Sequence, residues 1–191
     1  MIKAVIFDLD GVLVEAQDWH YEALNKALEI FGCDISYKDH LSIYDGLPTK
    51  VKLKMLNESK NFPVELFDLV SDLKQIYTHE IFLTRCFPSF SQQYLFKKLT
   101  EREIVTAVAS NSVRATVEQA ISNLDLKPYI KFSLSNQDVS NPKPDPEIYI
   151  KSISMLNLKP EECVIIEDNL NGIKAAKASG AHCLEVKNVE D

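Results

Sequence analysis

Two hydrophobic patterns alternate along most of the chain: short unbroken apolar runs, and stretches in which apolar residues recur every three or four positions. The runs predict buried strands, near residues 1–6, 104–109, 130–134, 163–166 and 182–186. The periodic stretches predict helices, near residues 94–99, 113–124, 145–156 and 173–178. Because strands that alternate with helices are typical of a doubly wound parallel sheet, we predict an α/β, Rossmann-like core that binds ligands at the carboxyl ends of its strands.

The chain between the first two strands has only the helical pattern. Apolar residues recur at helical spacing over 19–31, 51–56 and 64–82, and Asn61-Phe62-Pro63 separates the last two stretches. We therefore predict an all-helical insertion over residues 15–85, within a core domain that consists of residues 1–14 and 86–191.

Charge and composition narrow the classes of partner. The 191 residues include 21 basic and 28 acidic side chains, for a net charge of −7, and the basic residues form no run. We therefore expect no nucleic-acid partner and no binding to an anionic membrane surface. A small anionic substrate remains compatible with this charge, provided that lysines or a metal ion supply local positive charge.

The cysteines and the N-terminus bear on location. Four cysteines lie far apart and lack the spacing of zinc ligands, at positions Cys33, Cys86, Cys163 and Cys183. We interpret them as reduced thiols. The N-terminal apolar stretch is interrupted by Asp8 and Asp10, unlike a signal peptide, and no run is long enough to span a bilayer. We therefore expect a cytoplasmic protein.

Polar clusters follow three of the predicted strands, and a fourth cluster lies before a helix. These are Asp8 with Asp10, Ser110 with Asn111, Glu167 with Asp168, and Lys143 in the proline-rich loop 141–146. Because the carboxyl ends of parallel strands meet at one edge of a sheet, we expect the first three clusters to converge there.

Each cluster has a use in the handling of a phosphoryl group. Asp8 and Asp168, with help from Glu167, can hold Mg²⁺. Ser110 and amides at a helix N-terminus can bind phosphate oxygens, and Lys143 adds a positive charge. One carboxylate can attack phosphorus while another moves protons. Taken singly, each cluster could instead cap a helix or face solvent, and only their combination favours this chemistry.

The combination resembles a known family. Four segments in this order are similar to the four motifs of the haloacid dehalogenase superfamily: Asp8-Leu9-Asp10-Gly11-Val12, Ser110, Lys143 and Glu167-Asp168. The inserted helices resemble the helical cap of its branch with β-phosphoglucomutase and phosphoglycolate phosphatase-like enzymes. The resemblance covers nearly the whole chain.

The resemblance implies a role for each motif residue. Asp8 would be the nucleophile that becomes an aspartyl-phosphate, and Asp10 would protonate the leaving oxygen and then activate water. Ser110 and Lys143 would orient and neutralise the transferred group. Mg²⁺ would be the cofactor, held by the Asp8 carboxylate, the main-chain carbonyl of Asp10 and Asp168, with Glu167 as a ligand or a supporting residue.

The cap bears on substrate binding and on the type of reaction. The resemblance implies contacts with substrate from His20, Gly46, Thr49 and Asn111. In the sugar phosphomutases a lysine precedes the glycine of this loop and an arginine follows it, whereas Asp45 and Thr49 stand at those places here. We interpret four other cap lysines as a solvated helix face, at positions 50, 52, 54 and 74.

Without a second cationic clamp, a phosphatase is favoured over a mutase. We predict a Mg²⁺-dependent phosphatase that acts on a small phosphorylated metabolite, such as a sugar phosphate or a phosphoglycolate-like compound, and that is a monomer or a weak homodimer. A β-phosphoglucomutase-type enzyme is the first alternative. A catalytically silent regulatory or binding protein on the same fold is the second.

Overall fold

The computed structural model describes residues 1–44 and 46–187. They form two compact units, one made of Met1–Glu15 and the described residues from Cys86 onward, and the other made of Ala16–Arg85. Two parts of the sequence predictions lie outside the described residues: Asp45, and residues 188–191 at the end of the predicted core domain.

The first unit is built on a sheet of five parallel strands, which confirms the predicted fold class. In space the strands follow the order β3-β2-β1-β4-β5. Their bounds are β1 Ala4–Phe7, β2 Val105–Ala109, β3 Ile130–Leu134, β4 Cys163–Glu167 and β5 His182–Glu185. All four residues of β1 are buried, because this strand lies at the centre of the sheet with a neighbour on each side.

The first strand is shorter than the apolar run predicts. Pairing begins at Ala4, which lies opposite Val105 of β2 and Cys163 of β4, and Met1 is fully exposed. An apolar residue joins a buried strand only where both neighbouring strands extend to meet it. The local pattern of hydrophobicity does not contain that information.

Four helices flank the sheet: α5 Phe90–Glu101, α6 Arg114–Asn123, α7 Glu147–Leu156 and α8 Leu170–Ala178. The inner face of α7 packs in a core with Ala107 of β2 and Ile165 of β4. Helix α8 begins three residues before the predicted start, because the side chain of Asn169 caps it by accepting a hydrogen bond from the backbone N–H of Asn171.

In the described residues of the second unit, all regular secondary structure is helical. It contains α1 Gln17–Glu29, α2 Tyr37–Asp39, a π-helical turn His40–Tyr44, α3 Thr49–Lys60, a 3₁₀ turn Val64–Leu66 and α4 Phe67–Arg85. Its core joins apolar residues of α1, α3 and α4, including Leu28, Leu56 and Val70. No helix in the described parts of the chain combines the length and apolarity needed to cross a membrane.

Two lysines of this unit correct the sequence interpretation. Lys50 and Lys54 are exposed, but Lys52 and Lys74 are only 7% and 8% exposed. Each buried lysine lies one helical turn from a residue of the apolar face, Lys52 from Leu56 and Lys74 from Val70. The prediction of a solvated lysine face is therefore wrong for these two positions.

Candidate active site

Asp8 directly follows the central strand. Its backbone N–H donates to the carbonyl of Ile166 at 3.0 Å, which continues the pairing of β1 with β4 by one residue. The residue is 7% exposed, and its Oδ1 atom accepts a hydrogen bond of 2.6 Å from the Lys143 ammonium. A carboxylate so placed is held rigidly at the edge of the sheet.

A tight turn after Asp8 brings the second carboxylate near the same edge. The carbonyl of Leu9 accepts from the backbone N–H groups of Leu13 and Val14, at 2.9 Å and 3.0 Å. Gly11 has a φ of +85°, and a Cβ atom at this position would lie 2.0 Å from Asp168 Oδ2. Only glycine provides both the left-handed backbone and the space for that carboxylate.

The carboxylate of Asp10 is oriented by the segment that follows β2. The Ser112 hydroxyl donates to Asp10 Oδ2 at 2.7 Å. The backbone N–H of Ser112 donates to Ser110 Oγ at 3.0 Å, and Ser110 itself is buried. Contacts within the unit therefore join the ends of β1 and β2.

Lys143 lies at the centre of the site. Its ammonium donates to three acceptors: Asp8 Oδ1 at 2.6 Å, the Ala109 carbonyl at 2.8 Å and Glu167 Oε1 at 2.7 Å. The loop that carries it is tied to Asn111, whose side-chain amide accepts from the Lys143 N–H at 3.0 Å and donates to the Lys143 carbonyl at 3.2 Å. The lysine is thus fixed at both its backbone and its charged end.

Glu167 ends β4 and is almost completely buried, with 1% exposure. Its Oε1 atom accepts from Lys143 and also from the Tyr149 hydroxyl, at 2.5 Å, and Oε2 accepts from the backbone N–H of Asp168 at 3.2 Å. Gly172 of α8 leaves room for this carboxylate, because a Cβ atom there would lie 1.8 Å from Oε1. Glu167 is therefore bound by the protein on several sides.

The carboxylates of Asp8, Glu167 and Asp168 offer oxygen atoms that lie within 4.8 Å of one another. With the single ammonium of Lys143 against them, two negative charges remain when all four groups are ionised. Asp168 Oδ1 is buried and has no hydrogen-bond partner. Oxygen donors with excess negative charge suit a hard divalent cation such as Mg²⁺, so the residues fit the cofactor that the motifs imply.

The pKa values reflect this crowding of charge. Burial and then the Glu167 carboxylate raise the pKa of Asp8 well above its usual range, while Lys143 acts to lower it. The same two causes raise the pKa of Asp168 to about 6. Burial alone would lower the pKa of Lys143, but Asp8 and Glu167 outweigh it and raise the value. A bound cation would favour the ionised carboxylates.

The residues named from the sequence fall into two groups. Seven lie in the sheet unit, where they are linked by the contacts above or are adjacent in the sequence: Asp8, Asp10, Ser110, Asn111, Lys143, Glu167 and Asp168. The other three lie in the helical unit. His20 on α1 has its Nδ1 atom 3.1 Å from Lys74 Nζ, Gly46 has a positive φ of 67°, and Thr49 begins α3.

Three contributors to the site are absent from the sequence predictions: Ser112, Tyr149 and Gly172. Tyr149 lies on the apolar face of α7, and only its hydroxyl could have indicated a role in the site. A buried phenol requires a hydrogen-bond partner, and here that partner is Glu167. Burial and then Glu167 raise the pKa of Tyr149 well above its usual value, so the hydroxyl keeps its proton and donates. The Asp10 partner of the Ser112 hydroxyl lies 102 residues away in the sequence, and no local pattern shows that Gly172 faces the Glu167 carboxylate.

Comparison with known proteins agrees with the geometry. The family profile described as haloacid dehalogenase-like hydrolase matches residues 5–186. A phosphorylated carbohydrates phosphatase of Thermotoga maritima is 31% identical over 184 residues, which cover 94% of this chain and 82% of the relative. A validoxylamine A 7'-phosphate phosphatase of Streptomyces hygroscopicus is 27% identical over 192 residues, which cover 100% of this chain and 88% of that protein.

Solved structures give the same result for the fold. The crystal structure of a β-phosphoglucomutase from Clostridium difficile superimposes with a TM-score of 0.84 and 27% sequence identity, over 100% of this chain and 86% of that one.

Proposed function

Because the chain belongs to the haloacid dehalogenase-like hydrolase family and is a phosphatase of that family, we propose that it hydrolyses a small phosphorylated metabolite through an aspartyl-phosphate, with Mg²⁺ as its cofactor. The observation that carries the proposal is the buried Asp8 carboxylate at the end of the central strand, held by the Lys143 ammonium and beside Asp168. This is the arrangement that an anionic nucleophile for phosphorus requires.

In the first step an Asp8 oxygen forms a bond to phosphorus while the ester P–O bond breaks. Asp10 gives its proton to the leaving oxygen. The hydrogen bond from Ser112 keeps the Asp10 carboxyl group in one orientation for this transfer. Ser110, buried after β2, offers a hydroxyl to the phosphoryl oxygens.

In the second step a water molecule attacks phosphorus and the bond to Asp8 breaks. Asp10, now ionised, takes a proton from this water, and inorganic phosphate leaves. Lys143 remains on Asp8 Oδ1 throughout and offsets negative charge next to the transferred group.

The carboxylates of Asp8 and Asp168 and the main-chain carbonyl of Asp10 would hold the metal ion. When bound, Mg²⁺ would neutralise charge on the phosphoryl oxygens and on the surrounding carboxylates. The buried Asp168 Oδ1 without a hydrogen-bond partner supports this role. Glu167, already bound by Lys143 and Tyr149, would be a ligand or a supporting residue beside the metal.

The substrate class is supported by the named activities of relatives. Those proteins act on phosphorylated carbohydrates and on validoxylamine A 7'-phosphate, and both are small phosphorylated compounds. We therefore keep a sugar phosphate or a phosphoglycolate-like compound as the proposed substrate. His20, Gly46 and Thr49 of the helical unit and Asn111 of the sheet unit are the proposed substrate contacts.

Release of inorganic phosphate from a panel of small phosphate esters tests the proposal. We expect release that requires Mg²⁺ and stops when a chelator removes it. Undiminished release in the presence of a chelator would exclude the proposed cofactor. No release from any ester of the panel, by protein shown to be folded, would exclude the proposed substrate class.

A sugar phosphomutase is the second candidate, because Lys52 and Lys74 are buried rather than solvated. A mutase must hold the phosphate that is not being transferred, which requires a cation in the helical unit. The similarity to a β-phosphoglucomutase also favours a mutase, whereas Asp45 and Thr49 favour the phosphatase. Conversion of β-glucose 1-phosphate to glucose 6-phosphate with a bisphosphate primer, without phosphate release, would identify a mutase.

Location and assembly remain proposals. All four cysteines are free, as is usual in a reducing compartment, and we propose that the protein is cytoplasmic. We propose a monomer or weak homodimer that binds neither nucleic acid nor membranes. Light scattering after size-exclusion chromatography, at several protein concentrations, measures the assembly state.

A further inference from the structure

Tyr149 is completely buried in the core of the sheet unit and still carries a polar group. Its neighbours on the inner face of α7, Ile148 and Ile153, are apolar and belong to the same core. Burial of a hydroxyl is unfavourable unless the hydroxyl forms a hydrogen bond. The Tyr149 hydroxyl satisfies this requirement by donating to Glu167 Oε1 at 2.5 Å.

The acceptor of that bond is shared with the central lysine. Glu167 Oε1 receives hydrogen bonds from Tyr149 and from Lys143, and the same ammonium contacts Asp8 at 2.6 Å. The aromatic ring of Tyr149 also lies under the ammonium, with its centroid 4.7 Å from Nζ. Tyr149 therefore touches the lysine with its ring and fixes the lysine's anion partner with its hydroxyl.

The geometry points to Tyr149 as a positioning residue: we propose that its hydroxyl holds Glu167 so that the Lys143 ammonium stays on Asp8 during phosphoryl transfer. This inference rests on the proposed function. An ammonium has three protons, and all three of the acceptors on Lys143 are protein atoms. If the Glu167 carboxylate turns, the ammonium loses one acceptor and its distance to Asp8 is no longer fixed.

The variant Tyr149→Phe separates the two contacts, because it keeps the ring and removes the hydroxyl. We expect kcat to fall about tenfold, which corresponds to about 1.4 kcal/mol, while KM changes less than about twofold. We expect the effect on kcat and not on KM, because the positive charge near Asp8 stabilises the transition state more than the bound substrate. Tyr129→Phe, where the ring packs on Phe96, is the matched control and should leave both constants unchanged.

Gly172→Ala tests the same carboxylate from the other side and does not depend on how Tyr149→Phe folds. The added methyl group would lie 1.8 Å from Glu167 Oε1, so the carboxylate must move while the tyrosine stays intact. We expect the same selective fall in kcat. A kcat that matches wild type in either folded variant would overturn the proposal, as would a rise in KM at constant kcat.

Calorimetry separates failure of this inference from failure of the proposed function. In the presence of Mg²⁺, wild type should bind orthovanadate, which resembles the transition state, and also inorganic phosphate. Tyr149→Phe should bind vanadate about tenfold more weakly and phosphate equally well. Wild type that binds neither anion would overturn the proposed function together with this inference. Equal vanadate affinity in wild type and Tyr149→Phe would overturn the inference alone.

Discussion

At the scale of single residues, the site depends on a few groups whose chemistry has no substitute. Asp8 is the one most directly tied to the proposed reaction, because its carboxylate is buried and paired with Lys143. Asp8→Asn keeps the shape of the side chain and removes its charge. We expect turnover to fall by about 10⁴-fold or more, as for loss of a nucleophile. Steady-state kinetics measure this, and circular dichroism confirms the fold.

Asp10 has a different role and should show a different effect. Asp10→Asn keeps a group that accepts the Ser112 hydrogen bond but cannot move protons. We expect kcat to fall by about 10²–10⁴-fold, the usual value of general acid–base catalysis. Esters with better leaving groups should recover part of the first step. If such esters gain nothing, the proton donor for the leaving oxygen is another residue.

Gly11 should tolerate substitution as poorly as the carboxylates do. In Gly11→Ala the new methyl group would lie 2.0 Å from Asp168 Oδ2, so we expect Mg²⁺ affinity measured by calorimetry to fall at least about tenfold. Gly32→Ala is the matched control, because Gly32 also has a positive φ but no atom within 4 Å of the added Cβ. Equal Mg²⁺ affinity in the two variants would show that the clash with Asp168 does not weaken metal binding.

At the scale of elements, the loop before α7 carries the central lysine and is held by the segment after β2. Asn111→Ala removes both hydrogen bonds that tie this loop. Each such bond contributes about 1 kcal/mol, so we expect a measurable loss of stability to urea and a lower kcat. Mg²⁺ affinity should not change, because the two Asn111 hydrogen bonds go to the Lys143 backbone and not to the three clustered carboxylates. A selective loss of Mg²⁺ binding would contradict this.

Among the elements, the sequence predicts where the strands end but not which helical lysines are buried. The strand ends at Asp8 and Glu167 follow from local apolar runs, and their convergence follows from the parallel sheet. The burial of Lys52 and Lys74 was not predictable, because periodicity treats a lysine as polar wherever it falls. Packing against residues distant in the sequence determines the burial of both lysines.

The contacts inside the site show the same limit. The pairing of Tyr149 with Glu167 joins residues 18 positions apart, and that of Lys143 with Asp8 joins residues 135 apart. The motif order predicts that the charged groups meet. It contains no information about which oxygen each donor reaches, or about the tyrosine that supports them.

At the scale of the whole molecule, metal binding and stability should be linked. A cation that binds only the folded state stabilises it by about 2.7 kcal/mol when its concentration is one hundred times its Kd. We expect Mg²⁺ to raise the thermal midpoint of wild type. In Asp168→Asn, which loses one of the three clustered carboxylates, the midpoint should not respond to Mg²⁺. An equal response in both proteins would place the ion elsewhere.

Chemical trapping of the covalent intermediate tests most directly whether Asp8 is the nucleophile. Borohydride reduces an aspartyl-phosphate to homoserine, and peptide mass mapping then identifies the position. After a rapid quench during turnover, we expect homoserine at position 8 only when both substrate and Mg²⁺ are present. Turnover without homoserine at position 8, or with homoserine at another aspartate, would contradict the assignment of Asp8 as the nucleophile.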